Sequence, residues 1–235
     1  MRLDKLLANM GIGTRKEVKG ILKKGNVWVN GKQVKDGGLQ VTPESDEVVV
    51  NGNMVQFSEF SYWMLNKPQG VVSATEDKVD RTVMDLFKPE DRRKGLFPVG
   101  RLDKDTEGLL LITNDGALSH QLLSPKKHVD KVYFVKVTGE LTKEDQIAFE
   151  NGVVFLDGYK ALPAKLEILA AGEALVTIRE GKFHQVKKMF EACGKKVTYL
   201  KREKMASLEL DESLPLGAYR PLTKQELDLL FASQI

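Results

Sequence analysis

The chain has 235 residues, 42% of them hydrophobic, with a formal net charge of +3 and one cysteine. That length holds one large domain or two smaller ones, and the composition is ordinary for a soluble globular protein. No apolar run approaches the ~18 residues of a membrane helix. MRLDKLLANMG lacks the apolar core of a signal peptide, and a lone Cys193 cannot form an internal disulfide, so a cytoplasmic location and no membrane partner are expected.

The charge is unevenly spread. Residues 1–35 carry nine Lys/Arg against Asp4 and Glu17, a balance of +7, while residues 36–60 carry five acids and no Lys/Arg. A compact basic face suits a polyanion partner, although a solvated helix surface has the same composition. Leu3, Leu6, Leu7 and Met10 recur at helical spacing, and Gly11 stops that helix. Thr14 with Glu17 predicts a capping box for a second helix with Val18, Ile21 and Leu22 on its apolar face. Arg15, Lys16, Lys19 and Lys23 fall elsewhere on the wheel, and Gly25 ends the helix. VWVNGKQV reads as a hairpin around Asn30-Gly31, and Val48–Val50 as a strand before a second turn at Asn51-Gly52.

A connection at 57–61, FSEFS, leads to a larger domain, giving boundaries of 1–58 and 59–235. There YWMLNKP and GVVSA predict a strand and its return, and LFPVGRL and LLLIT two strands around a charged turn. ALSHQLLS follows as a short helix, VYFVKVTG as a strand, and TKEDQIAFENG as a helix capped by Thr142 and Asp145. EALVTIREG leads as a strand into a helix, FHQVKKMFEACG, before late strands at VTYLKRE and ASLELD. Strands outnumber helices, so the fold class is α+β with a mixed, largely antiparallel sheet.

Three histidines and one cysteine show no metal-ligand spacing, and no phosphate-loop, dinucleotide or nucleophile-elbow pattern is present. No metal or cofactor is therefore expected, and a carboxylate is the simplest source of chemistry. GRLDKDTEGLLLITNDG places Arg101, Asp103, Lys104, Asp105 and Glu107 at the mouth of an apolar strand. A rigid strand can hold a site in place, and neighbouring bases favour the charged form of a carboxylate, which can act as nucleophile or base. From spacing alone the plainer reading, a polar turn whose acids cap backbone amides, stands ahead of a catalytic one.

Residues 1–50 resemble the S4 RNA-binding domain, which implies that Arg2, Lys5, Arg15, Lys16, Lys19 and Lys24 face RNA phosphates. GRLDKDTEGLL matches every fixed position of the motif G-R-L-D-x-x-T-x-G-L-L of the ribosomal RNA pseudouridine synthases. LNKPQGVVSA, KVYFVKV, EGKFHQVKKMF and the YLKRE…SLEL tail resemble further motifs of that family, in order. HQVKKMF, REKMASLEL and LGAYRPLT are most similar to its small-subunit branch.

The resemblance implies isomerisation of an RNA uridine: the N1–C1′ bond breaks, the base turns, and C5 bonds to C1′, with no cofactor. It makes Asp103 the catalytic aspartate, acting either by attack at C1′ or by proton removal at C2′. Tyr133 would lie against the target base and Lys187 would pair with Asp103, with its neighbour Lys188 the other candidate. His184, Gln185 and Leu200 would face the base or RNA, Lys67 a phosphate, and Arg101 the site mouth. The implied substrate is small-subunit ribosomal RNA, free or in an assembling particle, acted on by a monomer that flips its base out of the strand. Competing readings are a large-subunit sister enzyme, a non-catalytic RNA-binding assembly protein, and a carboxylate glycosidase, which would need a second acid such as Asp105 or Glu107.

Overall fold

The computed structural model describes residues 1–232, and the chain divides into two units. The first contains Met1–Ser61 and, from further along the chain, Phe87–Leu96; the second contains Tyr62–Leu86 and the chain from Phe97 onward.

In the first unit, helices α1 (Leu3–Asn9) and α2 (Arg15–Lys23) pack on a sheet of order β2-β1-β3-β4, formed by β1 (Val27–Val29), β2 (Lys32–Gln33), β3 (Val48–Val50) and β4 (Asn53–Met54). Leu3, Leu6, Leu7, Val18 and Leu22 meet Val27, Val29, Val48 and Val50 in one apolar core. The capping box forms: Thr14 Oγ1 accepts from the Glu17 amide at 3.3 Å, and Glu17 Oε2 accepts from the Thr14 amide at 2.7 Å. Asn30-Gly31 and Asn51-Gly52 both turn with positive φ at each residue, the backbone that a right-twisted hairpin requires. Gly11 has a reason beyond ending α1. A Cβ there would stand 2.5 Å from the Glu90 carbonyl oxygen, so residues 87–96 lie directly on the helix–helix turn.

The second unit is built on β5 (Tyr62–Lys67), β6 (Phe97–Pro98), β7 (Glu107–Thr113), β8 (Lys131–Val137), β9 (Lys165–Ala170), β10 (Glu173–Ile178), β11 (Val197–Met205), β12 (Leu208–Glu209) and β13 (Tyr219–Pro221). Among the described residues they form one sheet of order β13-β5-β7-β11-β8-β10-β9, with β6 on β7 and β12 on β11. Every pairing is antiparallel except the central one of β7 with β11, so the sheet is mixed and largely antiparallel, an α+β fold. Helices α3 (Gly116–Leu123), α4 (Lys143–Glu150), α5 (Gln185–Ala192) and α6 (Lys224–Ala232) complete the unit. From Gly108 onward β7 is buried on both faces, which is why its sequence reads as an unbroken apolar run.

Three local expectations change. GVVSA forms no strand: only Val72 makes an isolated bridge, to Thr82, and Ser73 turns away to hold the Leu102 backbone. Helix α5 starts at Gln185 rather than Phe183, because His184 adopts a left-handed conformation with φ 53°. Strands β9 and β13 and helix α6 lie in stretches where no element was predicted.

Candidate active site

Asp103 sits in the loop joining β6 to β7. That loop is fixed from outside itself. Lys67, at the end of β5, is fully buried and donates from Nζ to the carbonyls of Asp103 at 2.9 Å, Thr106 at 2.9 Å and Pro68 at 3.0 Å. The Gly70 amide donates to the Lys104 carbonyl at 2.8 Å. Ser73 Oγ both accepts from the Leu102 amide at 3.0 Å and donates to the Leu102 carbonyl at 2.9 Å. The backbone on both sides of Asp103 is thus tied to residues 67–73. Burial pushes the Lys67 ammonium down to about 8.

With its backbone held, the Asp103 side chain meets α5. Lys187 Nζ donates to Asp103 Oδ2 at 2.9 Å and to Asp105 Oδ1 at 2.6 Å. Partial burial lowers the pKa of the Lys187 ammonium, but hydrogen bonds to the two carboxylates outweigh this and hold it above the ordinary lysine value. Asp105 is moved up by desolvation and further down by Lys187, and ends below the usual carboxylate range. His184 Nε2 lies 3.6 Å from Asp103 Oδ1. Lys188 points elsewhere, to Asp157 Oδ2 at 2.9 Å. The helix therefore presents Lys187, and not its neighbour, to the loop.

Asp103 opens into a pocket lined by Tyr133, Leu200, Ile178 and Thr106 along with Arg101, His184 and Lys187. Tyr133 on β8 and Leu200 on β11 are almost wholly buried and supply an aromatic and an aliphatic wall. The motif glycine, Gly108, shapes the strand below. It lies opposite Arg202 in the parallel pairing, with φ +103°, and a Cβ there would stand 2.2 Å from the Arg202 carbonyl oxygen. Only glycine lets β7 and β11 approach so closely at this crossing.

The structure thus brings Asp103, Tyr133, Lys187, His184, Arg101 and Leu200 to one pocket. Two sequence expectations are corrected. Lys67 does not face a phosphate: it is sealed beneath the loop, with its ammonium given to three carbonyls. Gln185 borders the pocket, but its amide is spent internally, accepting from the Lys182 amide at 3.0 Å and donating to Glu180 Oε2 at 3.0 Å. It shapes the 180–185 loop rather than reading a base. Thr106 was matched but given no role; its buried hydroxyl is without a partner among the described residues and borders the pocket.

In the first unit, Lys5, Arg15, Lys16, Lys19 and Lys24 are exposed, and Arg2 is exposed but paired with Asp4 at 2.8 Å. Lys5 and Arg15 share a groove with Arg92 and Lys94 from the returning segment, two bases that sequence reading passed over.

The RNA pseudouridylate synthase family profile matches residues 61–192, and the S4 domain profile matches residues 1–49. A Bacillus subtilis protein described as "Uncharacterized RNA pseudouridine synthase YtzG" is 54% identical over 234 residues, with 98% of each chain covered. Ribosomal large subunit pseudouridine synthase B of the same organism is 42% identical, with 98% of this chain and 96% of that one covered. Ribosomal small subunit pseudouridine synthase A of Haemophilus influenzae is 41% identical, with 98% and 99% covered. A solved structure described as a pseudouridylate synthase superposes with a TM-score of 0.69 at 39% identity, covering 98% of this chain and 99% of that one.

Proposed function

The chain belongs to the RNA pseudouridylate synthase family, whose members isomerise uridine to pseudouridine, and on that premise we propose that it acts on one uridine of small-subunit ribosomal RNA with Asp103 as the catalytic carboxylate. The observation carrying the site assignment is the Asp103–Lys187 pair at 2.9 Å, set at the pocket lined by Tyr133 and Leu200. A flipped uracil enters between the tyrosine ring and the leucine, and its ribose meets the Asp103 carboxylate. The reaction breaks the N1–C1′ bond and joins C5 to C1′, so the hydrogen on C5 leaves to solvent as a proton and N1 takes up a proton in exchange. Lys187 and His184 set the carboxylate's position, and the fixed backbone beneath it lowers the reorganisation needed at reaction.

The small-subunit assignment is supported by the HQVKKMF, REKMASLEL and LGAYRPLT stretches and by the small-subunit relatives. The large-subunit relative at 42% identity favours a second reading, a large-subunit uridine. The S4 unit, with its exposed bases on α1 and α2, holds the RNA while the second unit takes one base.

The test is tritium release from [5-³H]uridine-labelled small-subunit rRNA, free and protein-bound, with wild type and Asp103→Asn. Release by wild type and a loss of at least about 1,000-fold in Asp103→Asn, equivalent to about 4 kcal/mol of barrier, is the expected result, with rRNA affinity retained. Release from large-subunit rRNA alone moves the assignment to the second reading. Near wild-type turnover by Asp103→Asn overturns the role given to that residue.

A further inference from the structure

Beside the Asp103 pocket lies a second cleft of about 530 Å³ that shares Arg101, Tyr133, Gly181 and Lys182 with it. Two buried cations border this cleft, Lys131 on β8 and Arg202 on β11. Arg202 is 2% exposed and Lys131 7%. Arg202 stands opposite Tyr133 in the β8–β11 pairing, so it belongs to the same stretch of sheet as the pocket wall.

The cations have no carboxylate of their own among the described residues. Arg202 Nε donates to the Leu109 carbonyl at 2.8 Å, while its buried Nη2 has no partner. Lys131 Nζ donates to the Val129 carbonyl at 3.0 Å. The two acids nearby are committed elsewhere. Asp130 accepts from Arg179 Nε at 2.7 Å, and Glu180 accepts from the Tyr159 hydroxyl, the Leu162 amide and Gln185 Nε2. Burial and the charge of Arg202 push the Lys131 ammonium down to about 8. A buried charge is ordinarily paired, because desolvation costs several kcal/mol per ion. Two like charges bordering one cleft, with Asp130 and Glu180 both bonded to other groups, compound that cost. Backbone bonding occupies Nε of Arg202 and one donor of Lys131, and leaves the buried Nη2 and both charges without a partner carboxylate among the described residues.

We propose that Lys131 and Arg202 form a phosphate-binding subsite that seats a phosphodiester adjoining the uridine held at Asp103. The proposal rests on the RNA reading of the previous subsection and specifies a contact within it. The guanidinium offers a planar fork and the ammonium a point charge, the two donor types that phosphate oxygens accept. The phosphate supplies the missing counter-charge, and its binding registers the ribose against Asp103.

The test titrates uridine, uridine 3′-monophosphate and uridine 5′-monophosphate at millimolar concentration into the full-length protein, followed by amide NMR. Wild type, Lys131→Met and Arg202→Lys are compared. At least one monophosphate should bind wild type about tenfold or more tightly than uridine. That increment should vanish in Lys131→Met and shrink in Arg202→Lys, with uridine affinity retained. Where one variant fails to fold, the other carries the same comparison. An equal response to all three ligands in wild type, no response included, overturns the subsite, as does an increment that survives the substitutions. An increment without turnover of any rRNA leaves the subsite standing and removes the substrate reading. Turnover without an increment removes the subsite alone.

Discussion

Lys187 Nζ lies 2.9 Å from Asp103 Oδ2, a contact closed across 84 residues of chain. The same ammonium reaches Asp105, so one cation is shared between two acids of one short loop. Lys187→Met removes the ammonium to which both carboxylates are hydrogen-bonded. A fall in kcat of about 100-fold is expected, ~3 kcal/mol of barrier, with Lys187→Arg recovering most of it. Lys188→Met breaks a pair with Asp157 and a contact over the Phe155 ring, both away from Asp103, and should stay within about twofold of wild type. Tritium-release kinetics on the three variants check this; equal losses at 187 and 188 would refute the assignment.

The close crossing at Gly108 has a stability consequence. Gly108→Ala drives a methyl into the Arg202 backbone and forces a positive φ on alanine. Urea unfolding should show a loss of about 3 kcal/mol or more. Gly70→Ala is the control: its φ is +86° but nothing lies within 4 Å of a new Cβ. That substitution should cost about 1 kcal/mol, the left-handed penalty alone. Similar losses at both positions would mean that β7 yields to the methyl.

On α2, Lys16 and Lys19 are exposed. Reversing both to Glu should weaken rRNA binding by about tenfold or more at low salt. It should also flatten the dependence of log K on log salt by about two, one for each lost phosphate contact. Filter-binding across a salt series measures both. An unchanged slope would make this helix face an ordinary solvated one.

Stability should also depend on pH through Lys131. Its folded value is about 8, against 10.5 for an ordinary lysine. Below about 8 the amine is protonated in both folded and unfolded chains, and the full burial penalty is present. Between 8 and 10.5 the folded chain sheds the proton first, so the unfolded state binds more protons and stability rises. Wild type should therefore gain stability relative to Lys131→Met as pH climbs through that window. Denaturant titrations in anion-free buffer test it; a flat difference would show that the lysine titrates normally. Lys67 shifts in the same direction and is present in both proteins, so it drops out of the comparison.

What was legible in the sequence was local or carried by a motif. Thr14 and Glu17 announce their capping box within three residues, and Asn30-Gly31 announces its hairpin within two. The apolar run after Gly108 reads as a buried strand because both faces of β7 are covered. What was not legible depended on distant backbone. Lys67 has the composition of a phosphate ligand, and only folding brings the Asp103 and Thr106 carbonyls onto its ammonium. Gln185 looks free until the 180–185 loop closes on its amide. Ser73 looks like part of a strand until Leu102 captures its hydroxyl. Arg202 sits in a recognisable tail, but its missing counter-charge is visible only in the packed sheet.

The return of Phe87–Leu96 to the first unit limits how this chain can be recombined with a relative. Exchanging residues 1–61 between two relatives would move Gly11 and leave behind the Glu90 carbonyl against which it fits. It would also divide the groove in which Lys5 and Arg15 stand with Arg92 and Lys94. The first unit is drawn from two separate stretches of the chain, and a chimera that respects its folding must transplant both.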